Sequence, residues 1–167
     1  MMKIKIGTRK SKLAMAQTNM VIRALKIKFP DIETEIVPIV TTGDKILDKP
    51  LVQIGGKGVF VSEIERALIS GKIDIAVHSA KDLPIYLENG LEISGVLKRG
   101  DYRDVLVMLS GKEITNTYGF IVGTGSVRRI RNMRNIYPDV KFKDIRGNID
   151  TRLKKLQNRD YDAVILA

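Results

Sequence analysis

The sequence predicts an α/β protein in which short strands alternate with helices. Residues 3–7 alternate apolar and polar side chains as a strand does, residues 12–28 carry apolar side chains at helical spacing, and residues 32–40 form a second strand-like run. The same strand-then-helix order recurs at 120–137 and at 140–157. Repetition of this step is typical of α/β folds, in which ligands bind beyond the carboxyl ends of the strands.

The overall composition is ordinary for a soluble globular protein, with 44% hydrophobic and 29% charged residues. A length of 167 residues suits one medium domain or two small ones. Cysteine is absent, which excludes disulfides, thiolate metal sites and a thiol nucleophile and agrees with a cytoplasmic location. No apolar run reaches membrane-spanning length and residues 1–5 do not resemble a signal peptide, so we expect no membrane partner.

Positive charge is concentrated in the second half of the chain. The formal net charge is +10, from 29 lysines and arginines against 19 acidic residues. Residues 118–159 contain eleven basic and only three acidic residues and so contribute +8 of that charge. This concentration implies an anionic partner, for which nucleic acid, phosphate and a polycarboxylate all remain open.

The first strand-to-helix turn carries Arg9 and Ser11. Ser11 is a natural N-cap for the helix predicted over 12–28, and Pro30 ends that helix. A cation placed between a strand end and a helix start is well situated to bind an anion, so we favour a functional role for Arg9 over a solvated side chain. The apolar positions at helical spacing are Leu13, Ala16, Met20, Ala24 and Ile27 or Phe29.

The segment after the second strand is rich in turn-forming residues. Residues 41–50 indicate a polar loop, and residues 55–60 hold three glycines in four positions, which makes them a weak phosphate motif but a plausible mobile loop. Ser62 and Glu65 have the spacing of a capping box, which predicts a helix from Ser62 to about Ser70 that Gly71 ends.

The chain is organised around residues 73–84. Residues 73–77 predict a short buried strand, and His78, Ser79, Lys81 and Asp82 then follow within five positions before Pro84. A lysine helps its neighbouring carboxylate to stay ionised, and such a carboxylate can stabilise a developing cation. From this stretch alone, a candidate active site and a capped turn with a surface ion pair are equally good interpretations.

The charge-dense residues 98–104 predict the crossing between two domains, at 1–98 and 99–167. Strands are predicted over 105–109, 120–122, 140–142 and 161–167. The turn at 123–126 opens a helix that Ser126 can cap and that stops before Pro138. A cation in a helix's first turn opposes the helix dipole. An anionic ligand would remove that penalty, so we interpret Arg128 and Arg129 as ligand-binding and Arg131 and Arg134 as surface residues.

Seven motifs resemble one family in one order, the porphobilinogen deaminases. They lie in register, and the resemblance covers essentially the whole chain, from Lys3 to Ala167. The residues concerned are 8–14, 43–44, 55–60, 74–84, 99–104, 123–129 and 146–152.

The resemblance implies a two-lobed fold like that of the type II periplasmic binding proteins, with a third domain. It implies a transferase that joins four porphobilinogen units head to tail with release of ammonia, on the route to heme and other tetrapyrroles. The growing linear pyrrole chain is held on a dipyrromethane cofactor attached to a cysteine of the third domain, no metal is implied, and the full-length protein is expected to be a monomer.

The resemblance also implies roles for individual residues. Asp82 matches the catalytic aspartate, and His78 matches no catalytic role and is interpreted as structural. The arginines that match carboxylate-binding or catalytic positions are Arg9, Arg128, Arg129, Arg146 and Arg152. Cofactor- or substrate-contacting positions are matched by Lys81, Ser11, Thr124 and Ser126. The mobile loop over the cleft is matched by Lys57, Gly58 and Phe60.

This chain departs from the family because it has no cysteine to hold the cofactor. We expect that the third domain is absent, that the second domain is truncated, and that the chain alone does not turn over porphobilinogen. A non-catalytic anion-binding module of the same fold is the main alternative. A nucleic-acid binder is disfavoured because aromatic residues make up only 5% of the chain and no helix-turn-helix pattern is present.

Overall fold

The computed structural model describes residues 2–45, 61–111, 113–114 and 117–167. The chain forms two compact units, Met1–Lys98 and Arg99–Ala167, each with its own sheet and core. The glycine-rich segment and the loop residues Lys57, Gly58 and Phe60 lie outside the described residues.

The first unit is built on a parallel three-stranded sheet. Its elements are β1 (Lys3–Arg9), α1 (Lys12–Lys28), β2 (Glu33–Ile39), α2 (Thr42–Lys45), α3 (Ser62–Ile69) and β3 (Ile75–Ala76). The strand order is β2-β1-β3, with Ile6 opposite both Ile36 and Ile75. The predicted β-α-β opening is therefore confirmed, and the carboxyl ends of the three strands lie at one edge of the sheet.

The core of the first unit lies between the sheet and α3. Ile6, Ile64 and Ile73 are completely or almost completely buried, and Val37 and Leu68 pack against the cluster that contains Ile64 and Ile73. The predicted strand over 73–77 is shorter than expected, since only two of its residues pair with β1 as β3. The segments on either side still hydrogen-bond to β1, through Asp74 N–H to Lys5 O and Val77 N–H to Gly7 O.

Helix α1 has the predicted bounds but packs through a different face from its predicted apolar stripe. Leu13, Met20 and Ile27 are exposed, Ile27 to 85%. The only fully buried position in α1 is Thr18, whose hydroxyl donates to Ala14 O at 2.9 Å. A threonine can pack against the sheet because the preceding turn of its own helix satisfies its hydroxyl.

Two predictions around α2 and α3 are wrong in detail. The predicted loop over 41–50 contains a helical turn, α2, at its beginning. The capping box is not formed, because Val61 is the N-cap of α3 and makes no side-chain capping bond, which leaves Ser62 inside the first turn. Glu65 is turned inward instead, where burial and the nearby charge of Glu88 raise its pKa.

The second unit is built on a mixed four-stranded sheet. Its elements are β4 (Val105–Met108), β5 (Ile121–Gly123), α4 (Val127–Ile136), β6 (Lys141–Lys143), α5 (Ile149–Gln157) and β7 (Ala163–Leu166). The strand order is β4-β7-β5-β6, with β4 antiparallel to β7 and the other neighbours parallel. The α/β class is thus confirmed in both units.

The core of the second unit lies on both faces of its sheet. Val122 and Ala163 are fully buried with Val140 and Ile165 against one face, and Ile145, Leu156 and Val164 form a second cluster. Across the described ranges, no helix has the length and apolar character needed to cross a membrane.

Candidate active site

The predicted site residues of each unit gather where parallel strands end. In the first unit, Arg9 is the last residue of β1, and the turn that follows β3 carries His78, Ser79 and Asp82. Because β1 and β3 are parallel neighbours, these residues reach the same edge of the sheet. They line one shallow pocket together with Ser11 and Gln17 of the α1 N-terminal region.

Arg9 is oriented by Asp44 of α2. Its Nε lies 3.1 Å from Asp44 Oδ1 and 3.3 Å from Oδ2, and its Nη2 donates to Oδ1, so two guanidinium donors hold the carboxylate. Asp44 also accepts from the Thr41 hydroxyl at 2.7 Å and from the Thr41 N–H at 3.2 Å. Burial acts to raise the pKa of Asp44, but hydrogen bonds from Arg9 and Thr41 outweigh it and leave the pKa lowered.

Asp82 lies in a short 3-10 turn, Ala80–Asp82, that projects from the sheet edge. Both Asp82 and Lys81 are exposed. The turn is anchored at its start, where the Ser79 hydroxyl lies 2.9 Å from Nε2 and 3.0 Å from Oε1 of Gln17. This anchor ties the Asp82-bearing turn to α1, whose own N-terminus is capped by Ser11 through a bond from Ala14 N–H.

His78 is half-buried behind this turn. Burial lowers its pKa, the nearby Asp82 carboxylate acts in the opposite direction, and the positive charge of Arg9 lowers the pKa further. The net effect is a pKa below the usual value, so His78 is neutral near neutral pH. His78, Asp82 and Arg9 all line the same pocket, which agrees with this coupling.

In the second unit, the turn between β5 and α4 forms as predicted. Thr124 is buried, its N–H donates to Lys143 O at 3.1 Å, and its hydroxyl accepts from Ser126 N–H at 3.2 Å. Ser126 caps α4 by accepting from Arg129 N–H. The two hydroxyls therefore hold the turn's own backbone.

Arg128 and Arg129 share one internal carboxylate, that of Asp104. Arg129 binds Oδ1 with Nε at 3.1 Å and Nη2 at 2.7 Å, and Arg128 reaches Oδ2 with Nη2 at 2.9 Å. The Arg129 side chain is only 14% exposed and also donates to Ile165 O, whereas Arg128 is 65% exposed. The anion that we expected to offset these cations at the helix start is supplied in this structure by the chain itself.

Arg152 and Arg146 add positive charge to the same region of the second unit. Arg152 Nε donates to Gly147 O at 2.8 Å, which holds the side chain over the turn that begins α5. Burial lowers the Arg152 pKa, and the charges of Arg129 and Arg146 lower it further, with Asp144 acting in the opposite direction. The charges of Arg129 and Arg146 therefore act on Arg152.

Sequence reasoning missed three residues that shape these two sites. Gln17 gave no signal, because one glutamine on a helix is unremarkable. Asp44 and Asp104 lie inside the motifs at 43–44 and 99–104, but their arginine partners are 35 and 24 or 25 residues away along the chain. Within the described residues, no group of three or more histidine and acidic side chains could hold a metal ion.

The chain matches one family model over residues 4–167, described as porphobilinogen deaminase, dipyromethane cofactor binding domain. A porphobilinogen deaminase of Geobacillus sp. (strain WCH70) is 53% identical over 100% of this chain and 54% of that protein. One of Rickettsia typhi is 52% identical over 98% of this chain and 55% of that protein. The chain therefore spans about half the length of these curated relatives.

Two solved structures are also similar to this chain at low sequence identity. The periplasmic VFT2 domain of Bordetella pertussis BvgS matches with a TM-score of 0.47 and 18% identity, over 99% of this chain and 65% of that one. An ancestral arginine-binding protein bound to arginine matches with a TM-score of 0.45 and 18% identity, over 98% of this chain and 69% of that one.

Proposed function

This chain belongs to the porphobilinogen deaminase family, and we propose that it supplies the substrate-binding and catalytic groups of a porphobilinogen deaminase. The reaction is the stepwise head-to-tail condensation of four porphobilinogens with loss of one ammonia at each step, after which one water releases the tetrapyrrole as hydroxymethylbilane. The observation that carries the proposal is the exposed Asp82 carboxylate beside Arg9 at the carboxyl ends of parallel strands.

Asp82 is proposed to be the catalytic carboxylate. When ammonia leaves the aminomethyl carbon of porphobilinogen, electrons from the pyrrole nitrogen replace the broken C–N bond and positive charge spreads over the ring. A carboxylate that accepts a hydrogen bond from the pyrrole N–H opposes that charge and lowers the barrier. His78, neutral behind the turn, adds no positive charge of its own.

The arginines are proposed to bind the acetate and propionate groups of the substrate and of the growing pyrrole chain. Arg128 and Arg129 already hold a carboxylate, that of Asp104, so their geometry suits this task. An anionic ligand would offset the like charges that lower the Arg152 pKa. Arg9 serves the same purpose beside Asp82, and Lys81, Ser11, Thr124 and Ser126 complete the contacts.

The residues of the second unit fit a dipyrromethane cofactor, because its carboxylates would meet the same guanidinium groups. When bound, the cofactor supplies the terminal pyrrole carbon to which the first substrate unit is joined. This chain has no cysteine, so we propose that the thioether to the cofactor is made by polypeptide beyond this chain. The complete protein is proposed to act as a cytoplasmic monomer, with neither nucleic acid nor membrane as a partner.

The proposal is tested by completing the chain with the remaining half of the Geobacillus relative and measuring ammonia release from porphobilinogen. Asp82→Asn is expected to lower kcat about 10²-fold or more, the usual cost of losing one transition-state stabilising group. Asp139→Asn, at an exposed carboxylate in the other unit, is the matched control and should leave kcat unchanged.

The same assay separates the enzyme from the alternative, a non-catalytic module that binds polycarboxylates. A binder would show saturable porphobilinogen binding with no ammonia release, and Asp82→Ala would leave its affinity intact. Ammonia release by the completed protein that does not depend on Asp82 would refute the catalytic assignment.

A further inference from the structure

Glu63 of α3 is hydrogen-bonded to the residue that begins α2. Its Oε1 accepts from the backbone N–H of Thr42 at 3.1 Å and from the Thr42 hydroxyl as well. Helix α2 is only four residues long, and so short a helix has too few internal hydrogen bonds to fix its own position. The carboxylate of Glu63 therefore attaches the start of α2 to a longer helix that packs on the core.

Helix α2 in turn carries Asp44, the side chain that orients Arg9. Asp44 N–H donates to Thr41 O, and the Asp44 carboxylate accepts from both the N–H and the hydroxyl of Thr41, which closes a compact turn at residues 41–44. Arg9 pairs with the same carboxylate through Nε and Nη2. A displacement of α2 would move the partner of Arg9 away from the pocket that Arg9 lines.

We propose that Glu63 is a positioning residue for Arg9, acting through Thr42 and Asp44. The role of Arg9 in ligand binding rests on the proposed function, but the positioning itself does not. Glu63 lies 21 residues from Thr42 along the chain, so folding brings these contacts together.

The electrostatics of Glu63 agree with this role. Burial acts to raise the pKa of its carboxyl group. Hydrogen bonds from Thr42 and from the Glu63 backbone N–H, together with the charge of Arg66, outweigh burial, so the pKa lies below its usual value and the group stays ionised. Its second oxygen, Oε2, is buried and accepts no hydrogen bond within the part of the chain that the structure describes. A buried carboxylate with one unbonded oxygen is costly. The hydrogen bonds at Oε1 compensate for part of that cost and hold the ionised side chain in place.

The test is hydrogen exchange at the Arg9 Nε–H group of this chain, followed by NMR and assigned by its loss in Arg9→Lys. Glu63→Ala is expected to speed that exchange about ten-fold, because α2 and Asp44 lose their attachment. Glu63→Gln keeps an acceptor oxygen at the same place and should restore slow exchange. Thr42→Val keeps the backbone donor and loses the hydroxyl, so its Arg9 exchange rate should lie between those of the wild type and Glu63→Ala. If Glu63→Ala does not fold, Thr42→Val is sufficient for the test.

Glu35→Gln is the matched control, because it removes an exposed carboxylate that pairs with Lys3 in the same unit without touching α2. Its Arg9 exchange should equal that of the wild type. Unchanged Arg9 exchange in folded Glu63→Ala or in Thr42→Val would overturn the inference.

Porphobilinogen affinity, measured by calorimetry on the same variants, separates the inference from the proposed function. Glu63→Ala should weaken binding, and should have no further effect in an Arg9→Gln background, because contacts in one network are not additive. Faster Arg9 exchange with unchanged affinity would support the positioning role and would remove Arg9 from the proposed binding site.

Discussion

The Asp104 carboxylate accepts hydrogen bonds from both Arg128 and Arg129, with Nη2 of Arg129 at 2.7 Å and Nη2 of Arg128 at 2.9 Å. This pairing places an anion beside two cations in the first turn of α4, where the helix dipole disfavours positive charge. It also means that a ligand carboxylate arriving at these arginines must share them with Asp104 or displace it.

Removing the shared carboxylate is expected to destabilise the second unit. Asp104→Asn leaves the mostly buried Arg129 with a weaker partner, and we expect a loss of about 2 kcal/mol in the free energy of unfolding, measured by urea denaturation. Asp101→Asn breaks an ion pair between largely exposed side chains and is the control, with little or no change in stability expected. Equal losses of stability in Asp104→Asn and Asp101→Asn would show that the contact of Asp104 with Arg128 and Arg129 contributes no more than an exposed ion pair.

The contribution of Asp104 should depend on pH. Burial acts to raise its pKa, but hydrogen bonds from Arg129 and Arg128 outweigh burial and lower it. A carboxyl group with a lowered pKa in the folded state stabilises the fold above its ordinary pKa, and loses that stabilisation as the pH falls through the folded value. The stability gap between wild type and Asp104→Asn should therefore be constant at neutral pH and shrink below about pH 4.

His78, the only histidine in the chain, reports on Asp82 and Arg9. Burial and Arg9 lower its pKa while Asp82 acts to raise it. An NMR titration should give a pKa below about 6.5, a higher pKa in Arg9→Gln and a lower one in Asp82→Asn. A lower His78 pKa in Arg9→Gln than in Asp82→Asn would contradict the arrangement of charges around His78 in this pocket.

The depressed pKa of His78 also makes a prediction about stability. The unfolded chain takes up a proton at a higher pH than the folded one, so the free energy of unfolding should decline as the pH drops below about 6.5 toward the folded pKa. His78→Gln should remove that part of the pH dependence. Urea denaturation at a series of pH values measures both.

Gly123, at the end of β5, has no room for a side chain. A Cβ there would lie 2.9 Å from Tyr161 Cδ1, 3.1 Å from Val164 Cγ1 and 3.2 Å from Ile145 Cδ1. These neighbours are buried and cannot all move aside, so Gly123→Ala should cost about 1–3 kcal/mol. Gly95→Ala, at a glycine with open space around it, should be nearly neutral, and thermal unfolding of the two variants compares them.

The local features of this fold could be predicted from the sequence because they depend on near neighbours. Helix α1 has the predicted bounds, and both Ser11 and Ser126 cap their helices, since capping joins residues three positions apart. The turns at strand ends were likewise visible as polar residues that follow β-branched runs. These features follow from the chemistry of single residues and from their short spacing along the chain.

The features that could not be predicted depend on contacts between distant segments. The face through which α1 packs is set by the sheet beneath it, and the apolar spacing along the helix did not identify that face. Asp44 and Asp104 became partners of arginines only when folding brought separate segments together. For the same reason, the Glu65 side chain is buried instead of forming the capping box that its local sequence pattern predicts.

The most direct test of the central claim is the response of the His78 signal when porphobilinogen is added to this chain. If substrate binds between Arg9 and Asp82, the ring protons of His78 should shift in a saturable manner, and Arg9→Gln should weaken that response about ten-fold, as expected for loss of a charged hydrogen bond. A His78 signal that does not move, or that moves equally in Arg9→Gln, would contradict the assignment of the pocket lined by Arg9, His78 and Asp82 as the porphobilinogen site.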